Sequence, residues 1–327
     1  MTRARVFTVL RIALALLVVT AVALAVAHNW AEVSEDIDRI DGGTFALAAL
    51  LVCIPPILTM LGWRVLLADL GTPLHVAPAG GVFFVGQLGE YLPGAVWSIV
   101  AQAEMGERLQ IPRRRSAVVA FVSVALAAIC GLIVGLPALP LLLGLGGGAA
   151  TTGWFLLLVV PLLAVVLYPR LLNWGIALVL RVLRREPLEH TLSGRAVLTS
   201  SALFIGAWLA SGSHVLVLAR ATSSGYDGGR LVMGTLSGFA MASSLAMFSV
   251  LLPAGVGVRE GLLVLILGPV TSTSAATAVV VISRFLTVMA DVVFALLGWA
   301  YARSHHLLTS REERVAEHVV VPEDRER

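Results

Sequence analysis

Three apolar runs, Ile12 to Ala27, Phe45 to Leu67 and Ser116 to Leu136, approach or exceed the roughly 20 residues that a helix needs to cross a bilayer. Lipid offers the backbone no hydrogen bonds, so a chain that crosses it repeatedly with such runs must do so as helices. Composition points the same way. Hydrophobic residues make up 58% of the 327 residues and charged residues 13%, against about 25% charged in a soluble domain. The expected fold is all-α, a polytopic helical membrane protein.

All 23 basic residues are arginine. A net charge of +3 is too small to suggest nucleic acid, and the arginines gather in loops, where they report orientation. Arg3, Arg5 and Arg11 put the amino terminus in the cytoplasm. Ala25-Val-Ala27 resembles a signal-peptidase site, yet the preceding apolar stretch exceeds the about 7–15 residues of a signal peptide. Residues 1–30 are therefore expected as an uncleaved anchor helix. Cys53 and Cys130 sit in apolar runs as small core residues and suggest neither a disulfide framework nor a metal site.

Six full crossings are expected, at about 6–28, 45–68, 116–136, 153–168, 196–219 and 276–302. The acidic stretch Glu32 to Asp41 reads as an exterior loop, as does the Gly-rich stretch from Pro137 to Thr152. Leu171 to Leu183, flanked by Arg170, Arg181, Arg184 and Arg185, reads as a helix lying in the headgroup layer. The membrane domain spans 31–302, and 303–327 is a charged cytoplasmic tail. Both termini are expected on the cytoplasmic side of the cell membrane.

Two further apolar segments are interrupted. Residues 76–104 break near Pro93-Gly94, and residues 231–270 break near Pro253, Gly255 and Gly257. The arginines place both ends of the first segment inside. At 1.5 Å per residue, roughly 29 residues cannot cross twice, so a re-entrant pair of half-helices is expected. The second segment starts and ends outside, as a deep hairpin or two tight spans. Pro93 and Pro253 stand 160 residues apart, so helix, broken hairpin, helix over about 45–136 is expected to recur, inverted, over about 196–302. Gly/Pro-interrupted segments at matching positions of two halves point to a transporter's central site.

Ionisable residues inside hydrocarbon are candidate functional groups. Here they are Glu90, His214, Arg259, Glu260, Arg284 and Asp291. Glu90, Arg259 and Glu260 flank the breaks, where helix starts would present backbone N–H groups to an anion. Arg259 adds a bidentate guanidinium suited to phosphate; alternatively it pairs with Glu90 or Glu260 and locks the hairpins. Arg284 and Asp291, seven residues apart, share one helix face. Arg284 is a second candidate phosphate ligand, and Asp291 a group to orient it or carry a proton. His214, within Ser211-Gly-Ser-His214, reads as a hydrogen-bonded packing residue. Asp36 and Asp38 form an acidic pair of the sort that membrane glycosyltransferases use for metal, but no companion histidine supports them. Gly144-Leu-Gly146-Gly-Gly148 follows no strand and fails as a nucleotide loop. No catalytic motif, metal site or cofactor is called, and an enzyme is not expected.

The sequences Gln87-x-x-x-Tyr91-Leu92-Pro93-Gly94-x-x-Trp97 and Pro253-x-Gly255-x-Gly257-x-Arg259-Glu260-Gly261, followed by Arg284, resemble the transmembrane region of lysylphosphatidylglycerol synthases. The resemblance covers about residues 10–302. It implies a flippase-like protein that moves a lipid, typically with a phosphate headgroup, between leaflets. Tyr91 and Trp97 thereby join the cargo-binding candidates. Many family members carry a basic residue beside the first Pro-Gly; here Glu90 precedes it and Ala95 follows. Full synthases append a soluble aminoacyltransferase domain, whereas only a short tail follows here, so lysyl-lipid synthesis is not expected.

The expected cargo is an amphipathic, phosphate-bearing lipid, either an anionic phospholipid or a polyprenyl-phosphate-linked molecule. The alternatives are a proton-coupled ion or small-solute transporter using Glu90 or Asp291, and a glycosyltransferase using Asp36 and Asp38. Gly131-x-x-x-Gly135 permits close helix contact within or between chains, leaving oligomerisation open.

Overall fold

The computed structural model describes residues 30–91, 97–143, 149–222, 228–248, 255 and 257–305. The expected first crossing and nearly all of the tail lie outside these residues. Every longer element described is a helix: α1 Trp30–Asp38, α2 Gly42–Val52, α3 Ile54–Asp69, α4 Val76–Gln87, α5 Trp97–Arg108 and α6 Arg113–Gly135. Then come α7 Ala149–Val166, α8 Pro169–Val182, α9 Gly194–Thr222, α10 Gly228–Met247, α11 Val258–Leu267 and α12 Thr273–Ser304. Among the described residues, four helical stretches are long and apolar enough to cross a membrane: Gly42–Asp69, Arg113–Leu142, Gly194–Thr222 and Thr273–Ser304. The end of α7 together with α8 makes a fifth if that pair, bent by 57°, is taken as one span.

Two loop expectations are corrected. The acidic stretch after residue 30 is largely the helix α1. Val33 and Ile37 recur one turn apart on it, and Val33 is fully buried where α1 packs on α12. The helix α2 then starts from an Asp41 cap: Gly43 and Thr44 donate backbone N–H groups to its carboxylate at 2.8 and 2.9 Å, and the Thr44 hydroxyl donates at 2.7 Å. That hydroxyl bond, followed by the two N–H bonds, holds the Asp41 carboxyl below its usual range. The stretch after Gly135 is also more ordered than a loop. It forms a 3-10 turn, Leu136–Ala138, and a one-turn helix, Leu139–Leu142, each with a proline in its first turn, where the missing N–H costs nothing. The helix α7 begins at Ala149, earlier than expected.

Both interrupted segments double back. The helices α4 and α5 pack on each other, with Gly86 against Gln102 and Gly89 against the backbone of Ser98. This hairpin is rooted where α12 ends, with Gly81 beside Tyr301. The helix α10 starts at the opposite end of the bundle, and α11 packs against it. At ten residues, about 15 Å, α11 covers half a bilayer crossing.

At the end where α4 begins, arginines tie loops together. Arg115 reaches Glu189 at 3.1 Å, and Arg114 donates to the Glu186 carbonyl at 2.9 Å. Asp69 accepts the Ser193 N–H and hydroxyl at 2.7 and 2.9 Å just before α9 starts. Pairs whose carboxylate partner is largely exposed, as Glu189 and Glu186 are, contribute about 0–1 kcal/mol each, so they set loop positions rather than hold the bundle. The helix α8 lies at this end. Leu172 and Ile176 pack on the core and Leu180 is buried, while Asn173 exchanges two hydrogen bonds with the Leu192 backbone, both 2.9 Å.

The helix α9 lies at the centre, against α2, α3, α6, α10 and α12. The Ser200 hydroxyl donates to the Gly62 carbonyl on α3 at 3.0 Å, and the Trp208 indole donates to the Ala127 carbonyl on α6 at 2.8 Å. Small residues let the backbones approach as they do in lipid-embedded helix pairs. A Cβ on Gly135 would sit 2.7 Å from the Met241 Cα, and Gly212 faces the backbone of Leu236. Two apolar cores result, one toward each end of the bundle, with Trp208 packed against both. Both cysteines are free; Cys130 is buried in the core, while Cys53 is half-buried.

The variant Gly135→Val is expected to destabilise the fold by about 1–3 kcal/mol through overpacking, whereas Gly153→Val, with nothing within 4 Å of its Cβ, leaves the melting temperature unchanged. Thermal unfolding of both variants in detergent checks this, and equal melting temperatures would refute the close approach of α6 and α10.

Candidate functional site

Between the two cores lies a cavity of about 370 Å³. The flanks of both breaks border it. Gln87, at the end of α4, and Ser98, near the start of α5, come from the first hairpin; Met247, Gly255 and Arg259 come from the second. The remaining wall is made by α2, α3, α6, α9 and α12, and includes Trp63, Phe204, Trp208 and Asp291.

Backbone conformation shapes the second break. Gly255 and Gly257 have φ of 62° and 85°, in the left-handed region that glycine enters without a Cβ penalty. At Gly255 a Cβ would also lie 2.8 Å from the Cβ of Ala246 on α10. The chain can therefore fold tightly back onto α10 and start α11 inside the bundle. The first turn of α11 then needs acceptors for its unpaired N–H groups. One is supplied internally: Glu260 Oε2 accepts from the Gly257 N–H at 2.6 Å. The expected free helix start is thus partly closed by the protein's own carboxylate.

The other oxygen of Glu260 draws two arginines together. Arg259 Nε lies 3.5 Å from Glu260 Oε1, and Arg284 Nε lies 3.6 Å from the same atom. All three side chains are mostly buried, at 16%, 22% and 13% exposure for Arg259, Arg284 and Glu260. Those distances are ion-pair contacts rather than hydrogen bonds, and Glu260 Oε1 has no hydrogen-bond partner. Two positive charges thus share one carboxylate. The Arg259 guanidinium also stands over the Phe239 ring, 5.6 Å from its centroid, a cation–π contact.

Behind Phe239 the packing is specific. His214, fully buried, meets the Phe239 ring edge-on at 5.4 Å, and its Nε2 hydrogen-bonds with the Ser283 hydroxyl at 2.8 Å. It does not line the cavity. Its geometry is that of the hydrogen-bonded packing residue read from the sequence.

Of the residues singled out in the sequence, Arg259, Glu260 and Arg284 come together, and Asp291 lies on the cavity wall two turns further along α12. Arg284 itself stands behind Glu260, off the wall. Trp97 is 47% exposed and lies outside the cavity lining, although the adjacent Ser98 and Ile99 line it. The side chains of Glu90 and Tyr91, together with Pro93, Gly94 and Pro253, lie outside the described residues. Asp36 is buried and pairs with Arg39 at 2.8 Å, while Asp38, two residues on, is exposed. The two therefore do not share a helix face. Uncharged wall residues escaped the sequence reading: Trp63, Gln102, Ser123 and Ser243 carry buried polar atoms without hydrogen-bond partners. Their signal in the sequence is faint, because serine and glutamine are tolerated on apolar helices for many reasons.

Removal of the shared carboxylate by Glu260→Ala is expected to lower stability by on the order of 2–3 kcal/mol, since two mostly buried guanidinia lose their counter-charge. Glu260→Gln keeps an acceptor for the Gly257 N–H and should lose less. Melting curves for the two variants check this, and wild-type stability in Glu260→Ala would show that the cluster does not hold the break.

The comparisons with known proteins are consistent with this architecture. No curated protein matches the chain. The family model described as Lysylphosphatidylglycerol synthase TM region matches residues 9–307, nearly the whole length. This match, together with the long apolar helices, makes the protein a multi-pass membrane protein, and the chain belongs to the lysylphosphatidylglycerol synthase transmembrane region family.

Proposed function

We propose that this protein is a flippase-like transporter, not an enzyme, that moves an amphipathic, phosphate-bearing lipid or lipid-linked cargo between leaflets of the cell membrane. The observation that carries this reading is the cavity between the hairpin flanks, with Arg259 on its wall and a second guanidinium, Arg284, held at the same carboxylate. A guanidinium in a site partly shielded from water favours the bidentate oxygens of a phosphate. Family membership supports a flippase-like class. The two hairpins, rooted at opposite ends of the bundle, support an inverted repeat, an arrangement that sets a site between its halves. On this reading the arginine-rich end, and with it both termini, faces the cytoplasm.

Transport follows from the charge balance. A lipid headgroup entering the cavity meets Arg259, and its phosphate competes with Glu260 for the guanidinia. Because Glu260 remains tied to the Gly257 N–H, it stays in place to take the arginines back when the headgroup leaves. Asp291, on the same wall, gives specific support to a second reading, a proton-coupled transporter of ions or small solutes.

Mass spectrometry of lipids co-purifying with the wild type, Arg259→Ala and Arg284→Ala tests the first reading. One phosphate-bearing lipid should be enriched in the wild type and reduced at least tenfold in Arg259→Ala. Bulk-membrane lipid composition in all three folded proteins would refute it. Asp291→Asn in proteoliposomes separates the readings: a lipid transporter keeps headgroup selectivity without a proton gradient, whereas gradient-dependent uptake abolished by the substitution would favour the solute transporter.

A further inference from the structure

We infer that α8 and the arginines at its ends form a peripheral site for anionic phospholipid headgroups, in the leaflet at the arginine-rich end of the bundle. The site is separate from the cavity and independent of what the cavity carries.

The helix α8 presents two apolar stripes. Leu172, Ile176 and Leu180, each four residues apart, turn inward onto the bundle, and Asn173 fixes the helix to the Leu192 backbone. Leu171, Trp174, Leu178 and Val182, spaced by three, four and four residues, share another face. There they are exposed, Trp174 at 63% and Val182 at 74%. A helix anchored on one side and apolar on the other suits the boundary between headgroups and acyl chains, the depth at which tryptophan is enriched. Arg170 comes one turn before Trp174 and Arg181 two turns after it, so both guanidinia edge the exposed stripe on the same side.

These charges are not spent inside the protein. Arg170, Arg181, Arg184 and Arg185 are all exposed, and among the described residues none of their side chains has an ion-pair or hydrogen-bond partner. The acids nearest in sequence, Glu186 and Glu189, pair instead with Arg114 and Arg115 of α6, at 3.6 and 3.1 Å.

The end of α8 keeps an arginine where glycine is usual. The Arg184 and Arg185 N–H groups return to the Arg181 and Leu180 carbonyls at 3.0 and 2.8 Å, and Arg184 has φ of 53°. This double return is the helix stop whose left-handed residue is most often glycine, because a Cβ there crowds the backbone. A side chain is thus held against the local preference, and it brings a third guanidinium to those of Arg181 and Arg185. Guanidinia take phosphate oxygens in paired hydrogen bonds, and arginines at a bilayer surface attract anionic lipid, an attraction that salt screens.

The test melts the full chain in detergent with added short-chain phosphatidylglycerol or phosphatidylcholine. Phosphatidylglycerol is expected to raise the wild-type melting temperature by about 3–6 °C more than phosphatidylcholine does, and high salt to abolish that difference. Arg181→Gln/Arg184→Gly/Arg185→Gln should lose the difference. Without lipid the same variant should melt at or above the wild-type temperature, since glycine fits the left-handed turn; a fall would assign these arginines to the fold and overturn the site. Equal effects of the two lipids on the wild type also overturn it, leaving α8 an apolar contact without headgroup preference, as does a triple variant that keeps the full difference. A second readout places the lipid at α8. In nanodiscs with about a fifth of the lipid brominated, quenching of Trp174, taken as wild type minus Trp174→Phe, should be about twofold stronger for brominated phosphatidylglycerol than for brominated phosphatidylcholine. Equal quenching overturns the site, and this comparison decides the matter even if the triple variant misfolds.

Discussion

A helix broken inside a bilayer ends in backbone N–H and C=O groups that lipid cannot satisfy, and the arrangement of this protein follows from where such ends are put. Irregular backbone at membrane depth survives only when it is buried in protein or lines a wet cavity. Both hairpins obey that rule together. Their flanking residues, Gln87 and Ser98 on one side and Met247 and Gly255 on the other, border the same cavity. The long helices α6, α9 and α10, drawn close by glycine and serine, frame it.

Within that frame, polar groups divide into two kinds. The charged ones satisfy one another economically: one carboxylate serves an N–H group and two guanidinia, and a ring face supports one of those guanidinia from the other side. Among the uncharged ones on the cavity wall, Trp208 donates to the Ala127 carbonyl, whereas Trp63, Gln102, Ser123 and Ser243 carry buried polar atoms without a hydrogen-bond partner.

Much of the architecture was legible in the sequence because its signals are strong in lipid. Apolar length gave the long helices, and proline with glycine gave the breaks at α4–α5 and α10–α11. Arg259, Glu260 and Arg284 announced themselves as charges where charge is expensive. What failed did so for local reasons. The stretch around Val33 was judged by its acidic residues, although a buried valine one turn before Ile37 makes it a helix. The stretch after Gly135 was judged by its glycines and prolines, although proline in a first turn starts helices as readily as it ends them. Trp97 looked like a partner of its motif, but the side chain that faces the cavity belongs to the next residue. The uncharged wall could not be read at all, since convergence of one residue from each of four helices exists only in three dimensions.

The helix α12 touches both hairpins at different heights. Its Arg284 stands at the shared carboxylate of the second hairpin, and its Gly298, about 21 Å further along at 1.5 Å per residue, lies against Phe84 and the Gly80 carbonyl of the first. It therefore ties both hairpins to one continuous helix, and the length of α12 between Arg284 and Gly298 sets how far apart along the bundle the two hairpins are held.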